Sequence, residues 1–275
     1  MAIEGINGKK ILFIGIGFYD YDKLIAEKLR QNGASVCYIS SVRKNRLANL
    51  FQRFGLKKIA TTIIDNNRKK RIDQAARNAD IIFTIKGENL NTRDLIALKK
   101  RNPDASWILY LWDSVARLEN AELLFNFFPT IFSFDRLDCI RDKRFRFRPL
   151  FFRDLLDYEG QKDYDLSFIG WVHSDRLQLI RNFKTQLQNC QKRYFFKLYM
   201  GPFNYLIQRY IKGSITKEDN DIITTRAIPY ADFSQILSKS KCVLDIAHPL
   251  QSGLTMRTLE TFTAGCKLLT TNTDI

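Results

Sequence analysis

Short apolar runs, rich in β-branched and aromatic residues, recur along this chain and alternate with segments whose apolar residues keep helical spacing. A run that is apolar without a break suits a strand covered on both faces. Strands separated by helices run parallel, because a parallel pair needs a crossover long enough to hold a helix. The pattern predicts strands over residues 11–16, 34–40, 59–64, 79–85, 106–112, 130–134 and 145–151. Helices are expected over 21–32, stopped by Gly33, over 92–101 and over 115–126. After Phe152 the texture changes: residues 153–165 are polar, contain Gly160 and read as a linker. The alternation then restarts with a strand over 166–170, a helix over 175–189 capped by Ser174, and strands over 194–200, 242–247 and 266–271. The expected fold class is α/β, with two doubly wound Rossmann-like domains over residues 1–155 and 160–275. The last run reads as a central strand, yet only residues 272–275 follow it, so the second domain is expected to be truncated or completed by another chain.

A length of 275 residues accommodates two modest domains, and 45% hydrophobic with 27% charged residues is ordinary globular material. No stretch approaches the roughly 18 uninterrupted apolar residues of a membrane span, and the start lacks the features of a secretory signal. The cysteines, Cys37, Cys139, Cys190, Cys242 and Cys266, are odd in number and never spaced CxxC. That pattern fits neither a disulfide framework nor a zinc site, and points to a reducing cytoplasm. With His173 and His248 the only histidines, neither a metal centre nor a tightly bound cofactor is expected.

In open parallel sheets, ligands gather beyond the carboxyl ends of the strands. In the first half that rule selects Gly15–Asp20, Lys86–Glu88, Asp113–Ser114 and Asp135–Arg136; in the second, Gly170–Arg176 and His248–Gly253. Gly15-x-Gly17 alone is a tight turn as readily as a dinucleotide fingerprint, since Asp20 stands where the third glycine belongs. In the loop 170–176 a glycine ends a strand, a serine can cap a helix, and His173 and Arg176 flank the helix start. Amides at a positive helix end suit a phosphate or diphosphate. In the segment 252–266, Met256, Leu259 and Phe262 follow helical spacing and are expected to face the sheet, with Gly265 as the stop. Arg257 and Glu260 share another face, either as a ligand-binding pair or as a surface ion pair of little energy.

These segments carry a resemblance. The chain resembles GT-B nucleotide-sugar glycosyltransferases, especially the CgeB-like and glycosyltransferase-group-1 proteins of bacterial polysaccharide clusters. The resemblance lies in KILFIGIGF near the start, YLWDS at 110–114, SFDR at 133–136, YDLSFIGWVHSDR at 164–176 and SGLTMRTLETFTAGCKLLTTN at 252–272. It implies that the second domain holds a nucleotide-sugar substrate and the first an acceptor. It implies further that Glu260 holds the donor ribose, that Gly170, His173 and Arg176 lie near the diphosphate, and that Gly253, Leu254 and Thr255 line the sugar pocket, with Arg257 beside the leaving group. Where many relatives have the first glutamate of a Glu-x7-Glu pair, this chain has Ser252. A general base, for an inverting reaction, is expected among Asp113, Asp20 and Glu88, in that order.

Charge is uneven. Residues 43–77 hold eleven Lys/Arg against two Asp, and residues 136–153 hold seven against two, within a chain of formal net charge +15. Both stretches suit an anionic membrane surface bearing a lipid-linked acceptor, which places the expected location at the inner face of the cell membrane. Among them, Phe145, Phe147, Phe151 and Phe152 read as a buried strand face or as membrane-facing. Two alternatives stay open: a basic nucleic-acid-binding protein, although no base-reading module is found, and a catalytically silent transferase-like partner protein.

Overall fold

The computed structural model of the chain describes residues 5–17, 20–41, 51, 55–75, 77–87, 90–118, 121–154, 160–172 and 175–275. The chain divides into two compact units, Met1–Pro149 and Leu150–Ile275.

The first unit is one parallel sheet of β1 (Lys10–Gly15), β2 (Ser35–Ser40), β3 (Ile81–Ile85), β4 (Ser106–Leu111), β5 (Thr130–Ser133) and β6 (Phe145–Phe147) in the order β2-β1-β3-β4-β5-β6. Its described helices are α1 (Tyr21–Gln31), α2 (Lys57–Gln74), α3 (Thr92–Arg101), α4 (Ala121–Phe125) and α5 (Arg136–Arg141). On one sheet face Leu12, Ile14, Ile82 and Leu109 pack with Leu95 and Leu98 of α3 and Phe125 of α4. On the other, Phe13 stacks on Phe83 with ring centres 5.3 Å apart and tilts against Tyr38 at 5.5 Å. α3 shows why the local sequence is helical. Asn91 accepts the Asp94 amide (2.9 Å), Asp94 accepts the Asn91 amide (3.2 Å), and Lys99, Lys100 and Arg101 sit in the last turn, where the helix dipole favours cations.

The second unit is also all parallel. Its elements are β7 (Leu166–Trp171), α6 (Arg176–Asn189), β8 (Tyr194–Tyr199), α7 (Pro202–Leu206, continued by a π turn over Ile207–Ile211), β9 (Ile223–Thr224), α8 (Tyr230–Ser238), β10 (Cys242–Asp245), α9 (Met256–Thr263) and β11 (Lys267–Thr270). The strand order is β11-β10-β7-β8-β9. Phe168, Leu198 and Leu244 pack with Ile180 of α6 on one face. Val243 packs with Phe233 and Leu237 of α8, and with Ala264 and Cys266, on the other. Helices thus cover both faces, and the two doubly wound Rossmann-like domains expected from the pattern are observed.

Three expectations are corrected. Residues 59–64 are not a strand but the second turn onward of α2. β1 is already flanked by β2 and β3, so the sheet has no vacant edge there, and the β2–β3 crossover must be helical. The helix expected over 115–126 is a 3₁₀ turn, Val115–Arg117, followed by the short α4. The strand expected over 145–151 stops at Phe147: Phe145 is buried, while Phe147 and Phe152 are exposed. Among the described strands, β11 pairs with β10 and stands at the end of the order. The polar stretch read as a linker is fastened to the second unit where it is described. Lys162 donates to the Ser238 carbonyl (2.6 Å), Asp165 pairs with Lys241 (2.8 Å), and Arg153 lies 4.3 Å over the Tyr230 ring.

Candidate functional site

In the second sheet, the chain runs outward from β7 through β8 to β9, then returns to place β10 and β11 on the other side of β7. The loops leaving β7 and β10 therefore diverge, and the carboxyl ends of these two strands border the crevice where a parallel sheet receives ligands. Two arginines strap this point reciprocally. Arg176, at the start of the helix after β7, donates from Nη2 to the carbonyl of Ile246, just past β10 (2.7 Å). Arg257, in the helix after β10, donates from Nη2 to the carbonyl of Ile169 in β7 (3.0 Å). Gly170 is required between them: a Cβ there would lie 2.7 Å from the Phe168 ring.

The helix carrying Arg257 has an unusual inner face. Thr258, Glu260 and Thr261 are buried, Met256 and Leu259 are half-buried and Phe262 is exposed, so the expectation that Phe262 would face the sheet is corrected. Local bonds explain the inversion. Asp245, buried at the end of β10, accepts hydrogen bonds from Thr255 Oγ1 (2.8 Å) and Thr258 Oγ1 (2.6 Å), and Thr255 in turn caps the helix by accepting the Thr258 amide (3.2 Å). Thr261 donates to the Arg257 carbonyl (2.7 Å). Polar side chains whose hydrogen bonds are met can be buried, and such burial marks a site more sharply than an apolar face does.

Glu260 is 4% exposed. It is therefore not a solvent-exposed surface carboxylate. The Arg257 guanidinium lies 4.2 Å over the Phe233 ring, and its Nη1 is buried without a hydrogen-bond partner among the described residues. Nearby, burial first, and then the charges of Glu260 and Asp154, push the phenol of Tyr230 up. The Tyr230 hydroxyl also lacks a partner among the described residues. Ser252 and Gly253 are buried, Leu254 is half-buried, and Asn272 donates to the Ser252 carbonyl (3.1 Å), tying this loop to the segment after β11. At this switch point the second unit places Gly170, Arg176 and Arg257, with Thr255 bonded to Asp245 at the end of β10; Ser252, Gly253 and Leu254 belong to the loop between β10 and α9, and Glu260 is buried in α9. His173 and Ser174 lie outside the described residues.

Asp245, Asn272 and Tyr230 were missed by sequence reasoning. For Asp245 a signal existed, a carboxylate ending an apolar run, but the predicted strand over 242–247 enclosed it. Nothing in the sequence singled out the other two.

At the corresponding edge of the first unit, Asp22 is buried and accepts the Gly17 amide (2.6 Å) and the Tyr38 hydroxyl (2.7 Å), and Gly17 has φ 65°. The turn reading of Gly15-x-Gly17 is the one the structure supports, since a Cβ at Gly15 would lie 2.3 Å from the Asp22 carboxylate. Asp113 is held by Lys86 on one carboxylate oxygen and by Arg117 on the other. Lys86 takes a left-handed conformation (φ 61°) and borders a cavity of about 220 Å³ with Leu90, Asn91, Leu118 and Leu124. Asp20 pairs with Lys23 on the surface (3.0 Å). Glu88 lies outside the described residues. Among the described residues no group of three or more His, Cys, Asp or Glu could hold a metal ion, and no helix is long and apolar enough to cross a membrane.

Two successive parallel α/β units, with a buried polar cluster at the switch point of the second, define a two-domain chain of doubly wound, Rossmann-like architecture. Among solved structures, the fold is similar to that of Anabaena Alr3699/HepE in complex with UDP and glucose. The TM-score is 0.51 at 12% sequence identity, over 94% of this chain and 80% of HepE. No protein-family description and no curated protein matches the sequence significantly.

Proposed function

We propose that the protein is a glycosyltransferase. In this reading it moves a sugar from a nucleotide-sugar donor to a polysaccharide or lipid-linked acceptor in bacterial cell-surface glycan assembly. The observation that carries the reading is that one helix, the one after β10, holds both a buried carboxylate, Glu260, and a guanidinium, Arg257, whose Nη1 has no hydrogen-bond partner among the described residues. A buried carboxylate can accept two hydrogen bonds from neighbouring ribose hydroxyls. A guanidinium with an unused N–H can donate to a diphosphate oxygen, with Arg176 and the loop amides after Gly253 adding to the same field. The similarity of fold to a protein crystallised with UDP and glucose is consistent with this use of the edge.

Glycosyl transfer passes through an oxocarbenium-like state while negative charge grows on the departing diphosphate. Cations and helix amides aimed at that charge favour the transition state over the ground state. Arg176, Arg257, His173 and the backbone from Gly253 to Thr255 take that role, with Gly170 leaving room for the diphosphate. On the acceptor side Asp113 is the first choice of general base, ahead of Asp20 and Glu88; it acts by releasing Lys86 or Arg117. The basic stretches 43–77 and 136–153 draw the chain to anionic lipid at the cytoplasmic face, although Arg144 is already engaged by Glu122 (2.8 Å) and Asp142 (2.6 Å).

Calorimetric titration with UDP and the other nucleoside diphosphates tests the donor site. Wild type binds at least one of them, and Glu260→Gln, which keeps the shape but loses the charge, binds at least about tenfold more weakly, the loss expected for charged hydrogen bonds. Equal binding by the variant removes the assignment. Salt-sensitive binding to RNA without nucleotide preference would favour the nucleic-acid alternative.

A further inference from the structure

The helix after β8 is folded inside out. Along Pro202–Ile211 the sequence PFNYLIQRYI places Phe203, Leu206, Ile207, Tyr210 and Ile211 at the i, i+3, i+4, i+7 and i+8 positions of one stripe. In a helix lying on a globular core that stripe faces inward. Here Phe203 is 45%, Leu206 52%, Tyr210 73% and Ile211 78% exposed. The opposite, largely polar side is the one fixed to the protein. Tyr205 packs against the core cluster of Phe168 and Leu198, and Ser214 donates to Gln208 Oε1 (2.5 Å). Arg209 donates from Nη1 to the Thr216 carbonyl (2.8 Å) and to Asn220 Oδ1 (2.9 Å). With their polar partners already made, these residues hold the apolar stripe outward, and an apolar patch kept in water in this way marks a docking surface.

We propose that this stripe docks on an anionic lipid surface, with Phe203, Leu206, Tyr210 and Ile211 entering the boundary between headgroups and acyl chains. Charge selects the occupant. From residue 201 to 217 the exposed charged side chains are Lys212 and Lys217, with no Asp or Glu, while Arg209 stays on the protein side. Lys212 is exposed directly beyond the stripe, where a lysine stem can lie along the acyl boundary while its ammonium meets a lipid phosphate. A tyrosine among the exposed residues suits the same boundary, with an apolar ring and a polar tip. Ten helical residues extend about 15 Å, far too short to span a bilayer but suited to lying in its surface plane. A second copy of the chain is the poorer occupant, because a two-fold pairing of this stripe would set one Lys212 near the other. The proposal does not depend on glycosyl transfer, and its readout is lipid binding rather than turnover.

The test is flotation of the full chain with phosphatidylcholine vesicles and with vesicles containing added phosphatidylglycerol. The wild type is expected to float with the anionic vesicles only. Leu206→Ser/Ile211→Ser, two exposed changes that leave the melting temperature in place, weaken that binding at least tenfold, and Lys212→Glu weakens it without touching the apolar stripe. Because the basic stretches of the first unit also attract anionic lipid, the double variant is the deciding arm: its binding like wild type overturns the proposal. So does flotation of the wild type that is equal on neutral vesicles, or absent from both. A wild-type dimer in solution that the double variant dissolves would assign the stripe to a second copy instead.

Discussion

At the scale of single residues, the second unit owes much to one ion pair. Arg181 of α6 grips Asp219 through Nε (2.8 Å) and Nη2 (2.6 Å), and the Thr216 amide adds a third bond (2.8 Å) to a carboxylate that is 2% exposed. Burial alone would push that carboxyl up, but the bonds from Arg181 and Thr216 outweigh it, and Asp219 is held below the ordinary value of 3.8. A carboxyl whose folded pKa is depressed contributes stability that is fully present above its unfolded pKa and is lost as pH falls through the folded one. Arg181→Met strands a buried charge and is expected to cost about 3 kcal/mol near neutral pH by urea denaturation. That cost should shrink as the pH falls, once Asp219 without Arg181 takes up a proton in the folded variant while the wild-type carboxylate stays ionised. A cost that stays constant down to pH 3, roughly, would show that packing of the Arg181 stem matters more than its charge.

At the scale of elements, the helix Met256–Thr263 is bolted to β10 by the Thr255, Thr258 and Asp245 bonds, so its start should be sensitive to each. Thr255→Val removes a cap and is expected to cost about 1 kcal/mol. Asp245→Ala leaves the buried Thr258 hydroxyl and the half-buried Thr255 hydroxyl short of an acceptor and should cost about 2–3 kcal/mol, both read from denaturant midpoints. If Asp245→Ala is no worse than Thr255→Val, the carboxylate is not the anchor. This element also shows where sequence legibility ends. Its helical spacing and its glycine stop were readable, because spacing and residue type are local. Which face turned inward was not, because that depended on an aspartate ten residues earlier in another element. The same limit explains residues 59–64: a β-branched run favours a strand locally, but the neighbours of β1 were already taken.

At the scale of the whole molecule, each unit has its own sheet and its own core, and the proposed donor site is built from residues of the second unit alone. That partition makes a prediction about heat. Leu98 lies fully buried in the first core and Leu198 in the second, and truncating either to alanine should cost about 2–5 kcal/mol. Scanning calorimetry should therefore resolve two transitions, with Leu98→Ala lowering one and Leu198→Ala the other. A ligand that binds only the folded form of one unit stabilises that unit by mass action, by about 2.7 kcal/mol at a hundred times its dissociation constant. Saturating nucleoside diphosphate should then raise the transition marked by Leu198→Ala and leave the one marked by Leu98→Ala in place, and Glu260→Gln should abolish that rise. A ligand-induced rise confined to the Leu98→Ala transition would move the nucleotide to the first unit, away from Arg257 and Glu260. The experiment thus locates the site independently of any measured turnover.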